Sequence, residues 1–195
     1  VSHFQYYPKN QRITSHLNAV VEVFGRMEDH ISDEKRTYKS NDILEICRPG
    51  LEEIGYLVED MRRGKDKYIE VPVLFGRNNQ LEKSFRADAF NDVEKSVIEV
   101  EAGRGVLNNQ FLKDLFQACM MQDVDYLAIG VLFEYRTKKS NGDYKVNRDF
   151  ETVCKFFDAL YSSDRLRLPL KGVLIIGYET PNLQATGPVF VDEIE

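Results

Sequence analysis

Val20, Val21, Phe24, Met27 and Ile31 recur at three- and four-residue intervals, which predicts a first helix over residues 17–31. A polar stretch, 29–36, follows it. Asn41 is placed to cap a second helix starting at Asp42, with Ile43, Cys47, Gly50 and Ile54 on one face and Leu44 and Leu51 beside it. Pro49 is expected to kink or divide this helix, and Gly55 to close it.

The period then changes from helical to alternating. Residues 56–59 predict a short strand, and 67–75 a longer one rich in Ile, Val, Leu and Phe. After a turn at 77–80, residues 84–90 alternate, with Phe85, Ala87 and Ala89 on one side and Arg86, Asp88 and Phe90 on the other. Residues 91–95 form a polar turn, and 96–101 the next strand. Asn108 or Asn109 is placed to cap a third helix running to about residue 122, with Phe111, Leu112, Leu115, Ala118 and Cys119 on its apolar side. Residues 125–135 predict a strongly apolar strand, 140–143 a turn, 149–161 a fourth helix and 172–178 a last buried strand. Helices, a run of strands, then helix, strand, helix, strand describes an α/β fold, a mixed central sheet flanked by helices on both faces. No boundary divides residues 1–195, so a single domain is expected.

Composition narrows the function classes. A hydrophobic fraction of 43% over 195 residues supports a sizeable core. No apolar run reaches the roughly 18 residues that span a bilayer, and the start, Val1-Ser2-His3-Phe4, does not read as a signal peptide. Cys47, Cys119 and Cys154 are odd in number and widely spaced, as expected of free thiols in a reducing cytoplasm. A net charge of −6 argues against coating by nucleic acid through bulk charge, although local basic clusters occur at 62–67, 136–139 and 165–171. His3, His16 and His30 make no metal-ligand spacing, no Gly-rich loop is followed by GK[ST], and no GxSxG occurs.

The chemistry therefore rests on acids. Asp88 falls in one predicted strand. Glu99 and Glu101 fall two apart in the following strand, so both point to the Val97 side, opposite Ile98 and Val100. Carboxylates brought this close repel one another and lose hydration. A divalent cation offsets that cost, and oxygen-only ligands suit Mg²⁺ or Mn²⁺. The other reading of Glu-x-Glu is an exposed strand face neutralised by Arg86 and Lys95.

The run Arg86-Ala87-Asp88-Ala89-Phe90, followed by Ile98-Glu99-Val100-Glu101-Ala102-Gly103, resembles the PD-(D/E)XK nuclease core with its αβββαβ order, over residues 42–135. The nearest subgroup is that of type II restriction endonucleases of the BamHI/BglII kind, in which Glu or Gln replaces the usual motif lysine. This resemblance implies a Mg²⁺-dependent endodeoxyribonuclease acting on DNA as a homodimer. It implies Asp88 and Glu99 as metal ligands, with the Val100 carbonyl as a further one, and Glu101 as the group that positions or activates water. Ala87 stands where the motif has Pro. Lys113, on the helix after the motif, is a candidate for a migrated lysine. Glu45, Glu52 and Glu53 are available as an additional acid from the first core helix, and Asn109, Gln110 and Arg104 as phosphate contacts. A catalytically inactive nuclease-fold module, binding nucleic acid or protein, is the alternative.

Overall fold

The computed structural model describes residues 3–28, 30, 38–61, 67–102, 106, 108–138 and 142–179. In chain order the elements are β1 (His3–Tyr7), α1 (Ser15–Glu28), α2 (Ser40–Glu53), β2 (Leu57–Val58), β3 (Ile69–Phe75), β4 (Leu81–Ala87), β5 (Ala89–Asn91) and β6 (Ser96–Val100). They continue with α3 (Gln110–Met120), β7 (Tyr126–Leu132), β8 (Tyr135–Lys138), β9 (Tyr144–Asn147), α4 (Asp149–Tyr161) and β10 (Gly172–Tyr178).

A six-stranded sheet runs β1-β10-β7-β6-β5-β2. Its centre, β6, β7 and β10, is parallel, and β1, β5 and β2 join antiparallel at the flanks. The parallel strands are covered on both faces, which is why β7 and β10 read as nearly unbroken apolar runs. One face packs Phe24 and Met27 of α1, and Leu44 and Leu51 of α2, against Ile98, Val100, Ala128 and Ile176. The other packs Phe111 and Leu115 of α3, and Val153 and Phe157 of α4, against Val97, Ile129 and Ile175. This is the mixed α/β architecture expected. The order α2, β2, β5, β6, α3, β7 gives helix, three strands, helix, strand, with a separate hairpin, β3–β4, inserted between β2 and β5.

Two glycines matter for position. A Cβ on Gly130, opposite Val100 in the register, would stand 2.8 Å from the Phe24 ring, so its absence lets α1 press onto the sheet centre. Gly55 closes α2 as expected, at φ +92°: its N–H donates to the Glu52 carbonyl at 3.1 Å, and that of Tyr56 to the Leu51 carbonyl at 2.9 Å.

Several local expectations are corrected. Pro49 does not divide α2, which is helical from Ser40 to Glu53. Pro49 is exposed, so the carbonyl it leaves unbonded can be hydrated, while Gly50 beside it packs on Val23 of α1. The α2 cap is Lys39 rather than Asn41, with the Asp42 carboxylate accepting the Lys39 N–H at 2.9 Å. Asn109 precedes α3 in a left-handed conformation (φ 55°) and makes no side-chain cap. The predicted strand over 84–90 is two strands broken at Asp88: Ala87 packs on the α3–α4 side and Ala89 on the α1–α2 side. Two features were not expected, the edge strand β1 and the hairpin β8–β9.

Candidate active site

The break at Asp88 is where the hairpin β3–β4 hands over to the central sheet. There the backbone bends, and the Asp88 side chain replaces a ladder partner: its Oδ2 accepts the Val100 N–H at 2.7 Å. The Asp88 carbonyl accepts the Glu59 N–H at 2.8 Å, which ties the chain after β2 to the same point. The next N–H along β6, that of Glu101, goes the other way, to the Gly130 carbonyl at 2.8 Å. The N–H and C=O of one strand residue point to the same edge. The Val100 carbonyl therefore lies on the Asp88 side.

Glu99 and Glu101 project to the Val97 face, toward α3, as the alternation requires. Asp88 and Glu99 are recessed in a cleft of about 490 Å³. One wall is the hairpin, with Tyr68, Lys83 and Arg86. The facing wall is α3, with Lys113 and Gln117 one turn apart, and Glu59 also lines the cleft.

Asp114 of α3 is an acid that the sequence reading missed. It is only 3% exposed, its Oδ1 lies 3.5 Å from Lys113 Nζ, and its Oδ2 has no donor among the described residues. The Asp114 and Glu101 carboxyls lie within hydrogen-bonding reach of each other, and two carboxyls join only by sharing a proton. Its signal in the sequence is its position: Asp114 falls in the apolar stripe of Phe111, Leu115 and Ala118.

The electrostatics follow. Burial, then the negative charge of Glu59 and Asp114, pushes Asp88 up to about 7 despite the Val100 N–H. Glu99 is held well above the usual carboxylate range by burial and then by Asp88 and Asp114. Burial, the shared proton with Asp114 and the charges of Asp114 and Asp88 push Glu101 up to about 8. The Lys113 ammonium acts in the opposite direction on all three. Neither expected neutralising partner sits on them. Arg86 stacks on Tyr68, its guanidinium carbon 3.5 Å from the ring centroid, and Lys95 pairs with Asp92 at 3.0 Å.

The donor chemistry fits a hard divalent cation: acid oxygens carrying more negative charge than the protein around them offsets. Their spacing does not form a ready cage. Among the described residues, no three His, Cys, Asp or Glu side chains converge where they could together hold a metal ion. The set implied by the resemblance is smaller than that, two carboxylates (Asp88, Glu99) and one carbonyl (Val100), and Mg²⁺ keeps several of its ligands as water or phosphate.

Glu45 and Glu52 face the buried Arg48, at 2.8 and 3.7 Å, and Glu53 borders a different hollow, so α2 sends no acid into the cleft. Glu59 lines the cleft instead, and Asp114 lies buried beside Glu101. Gln110 and Asn109 are exposed outside the cleft lining. Arg104 lies outside the described residues, as do Arg62, Arg63 and Lys65 of the first basic cluster. Burial raises the Cys47 thiol to about 12 and the Cys119 and Cys154 thiols to about 11, which leaves none of them as a nucleophile near neutrality.

No protein-family model matches this sequence, and no curated protein is found to be similar to it. Among the described residues, no helix is long and apolar enough to cross a membrane.

Proposed function

We propose that this chain is a divalent-metal-dependent nuclease of the PD-(D/E)XK kind, hydrolysing DNA phosphodiester bonds. The observation that carries the reading is one cleft with two properties. Its floor holds Asp88 and Glu99, backed by Glu101 and Asp114, and its walls carry Lys83, Arg86 and Lys113. A cationic wall suits a phosphate backbone, and an acidic floor suits the ion that such a backbone brings or meets.

Asp88, Glu99 and the Val100 carbonyl are the groups that would hold Mg²⁺ or Mn²⁺. When bound, such an ion supplies Lewis-acid polarisation of the phosphate and a more acidic water. The rest is the work of the chain. The Val100 N–H fixes the rotamer of Asp88. Glu101, raised to about 8, is suited to take a proton from water, and the Asp114 carboxylate is the acceptor for that proton once Glu101 carries it. Lys113 reaches over the acids from α3, the position of a migrated motif lysine, and offsets charge that develops on a phosphate. The free thiols suit a reducing cytoplasm. A homodimer, implied by the resemblance for cutting both strands of a duplex, is part of the same reading.

Plasmid cleavage with Mg²⁺ or Mn²⁺ tests it, comparing wild type with Asp88→Ala and Glu99→Ala. Metal-dependent cutting lost in both variants supports the nuclease. No cutting of several DNA and RNA substrates, with no Mn²⁺ binding by calorimetry, overturns it. That result would favour the second reading, a nuclease-fold binding module without catalysis. The absence of three convergent carboxylates among the described residues is the observation in favour of that reading.

A further inference from the structure

The hairpin wall of the cleft carries a feature that phosphate hydrolysis alone does not require. Tyr68 and Arg86 form a stack, the guanidinium lying 3.5 Å from the ring centroid, and Lys83 stands 5.3 Å from the centre of the Phe85 ring. All four residues line the cleft, and Tyr68 remains 37% exposed. The pairing Glu70 with Arg86 across the hairpin fixes this arrangement, because Tyr68 is two residues from Glu70 and so shares its face. The apolar side of the hairpin, Ile69, Val71 and Ala87, is buried, so the stack is held by the core beneath it.

Arg86 is two residues before Asp88, a distance of about 7 Å along extended chain. One nucleotide can therefore place its phosphate at the acidic floor and its base against the wall. A flat aromatic and guanidinium surface is sequence-tolerant, since every base has a π-face to offer. Within a duplex those faces are covered by the neighbouring base pairs. A base can use the wall only when it is unpaired and unstacked.

We propose that the Tyr68–Arg86 stack is a base-stacking site that makes this cleft selective for unpaired nucleic acid, a single strand or the frayed part of a duplex. The inference rests on the nuclease reading for the scissile phosphate. A single strand needs only one such cleft, so this substrate does not require two copies of the chain to act together.

The test separates the two ideas by measuring binding apart from cutting. Fluorescence anisotropy with Ca²⁺ in place of Mg²⁺ would compare short labelled single-stranded DNA, the same sequence as RNA, and the corresponding DNA duplex. Cleavage of each would be followed separately with Mg²⁺ or Mn²⁺. Wild type is expected to bind single strands about tenfold or more tighter than duplex, and Tyr68→Ala to lose about tenfold of the single-strand affinity. Tyr68→Phe, which keeps the ring and drops the hydroxyl, is expected to retain the preference. Unchanged thermal unfolding of Tyr68→Ala would exclude loss of fold as the cause. Duplex cut at least as well as single strand, with Tyr68→Ala equal to wild type, overturns the stacking site and leaves the nuclease standing. No binding and no cleavage of any of the three overturns both.

Discussion

The Asp88 carboxylate accepts the backbone N–H of Val100 at 2.7 Å, a contact that joins the end of the β3–β4 hairpin to the strand carrying Glu99 and Glu101. One side chain thus closes the sheet at the break and sets the position of an acid. The two roles separate by substitution. Asp88→Asn keeps an acceptor for Val100 and is expected to fold while losing metal-dependent cutting. Asp88→Ala leaves that N–H without its partner and is expected to cost about 1–3 kcal/mol besides. Burial raises Asp88 to about 7, so the charged form destabilises the fold as pH rises from about 4 through about 7. Above neutrality, without metal, Asp88→Asn is therefore expected to be at least as stable as wild type in urea unfolding.

The Glu101–Asp114 pair predicts a pH signature. Burial first, then the hydrogen bond to Asp114 and the Asp114 charge, raise Glu101 to about 8. Asp114→Asn removes the charge and offers Glu101 a hydrogen-bond donor, both of which favour its carboxylate. If Glu101 acts as base, the rising limb of the rate–pH profile should move to lower pH by about one unit or more. A profile unmoved in a folded Asp114→Asn variant would remove Glu101 from that role.

Much of this arrangement was legible in the chain, and the exceptions share causes. α4 and β10 fall where the pattern puts them, because a long helical stripe and an unbroken apolar run have few other readings. The facing of Glu99 and Glu101 opposite Ile98 and Val100 followed from the pleat alone. The bend at Asp88 was hidden because Phe85, Ala87 and Ala89 continue the alternation straight through it, and alanine is too small to show which face it packs on. β1 escaped notice because an edge strand is set by its partner, and its partner β10 lies at the far end of the chain. Asp114 and Arg48 carry no motif that singles them out. Each stands in an apolar helical stripe, and a charge there marks a buried group with a specific partner.

Metal addition should show directly in stability. Crowded carboxylates destabilise the fold as they ionise, so metal-free protein is expected to lose stability between about pH 4 and pH 8. A cation bound at Asp88 and Glu99 reverses this only where they are ionised, because protons compete for the same oxygens. Thermal unfolding at about pH 8 should rise with Mn²⁺ and respond little at about pH 5. Glu99→Gln should abolish the rise.

Arg48 predicts a structural effect on the site. Its guanidinium is buried and donates to the Val58 carbonyl at 3.1 Å and to the Glu59 carbonyl. Those bonds anchor β2 and the segment that brings Glu59 into the cleft. Arg48→Met retains the apolar stem but leaves both carbonyls without this donor. It is expected to cost about 2–4 kcal/mol in urea unfolding, and to weaken cutting in the protein that remains folded.

Asp149 offers a pH test that no metal reading touches. It opens α4, is almost fully buried, and burial raises its carboxyl to about 7. An acid with a raised folded pKa binds more protons folded than unfolded. Its neutral form leaves stability intact at about pH 4, and stability is lost as pH rises through about 7. Asp149→Asn keeps the shape and some hydrogen bonding and removes the titration. At about pH 8 it is expected to be more stable than wild type by on the order of 2 kcal/mol, a margin that shrinks toward zero near pH 4. Urea unfolding across that range checks the slope. A constant difference at every pH would mean that Asp149 titrates in the folded protein as it does in water.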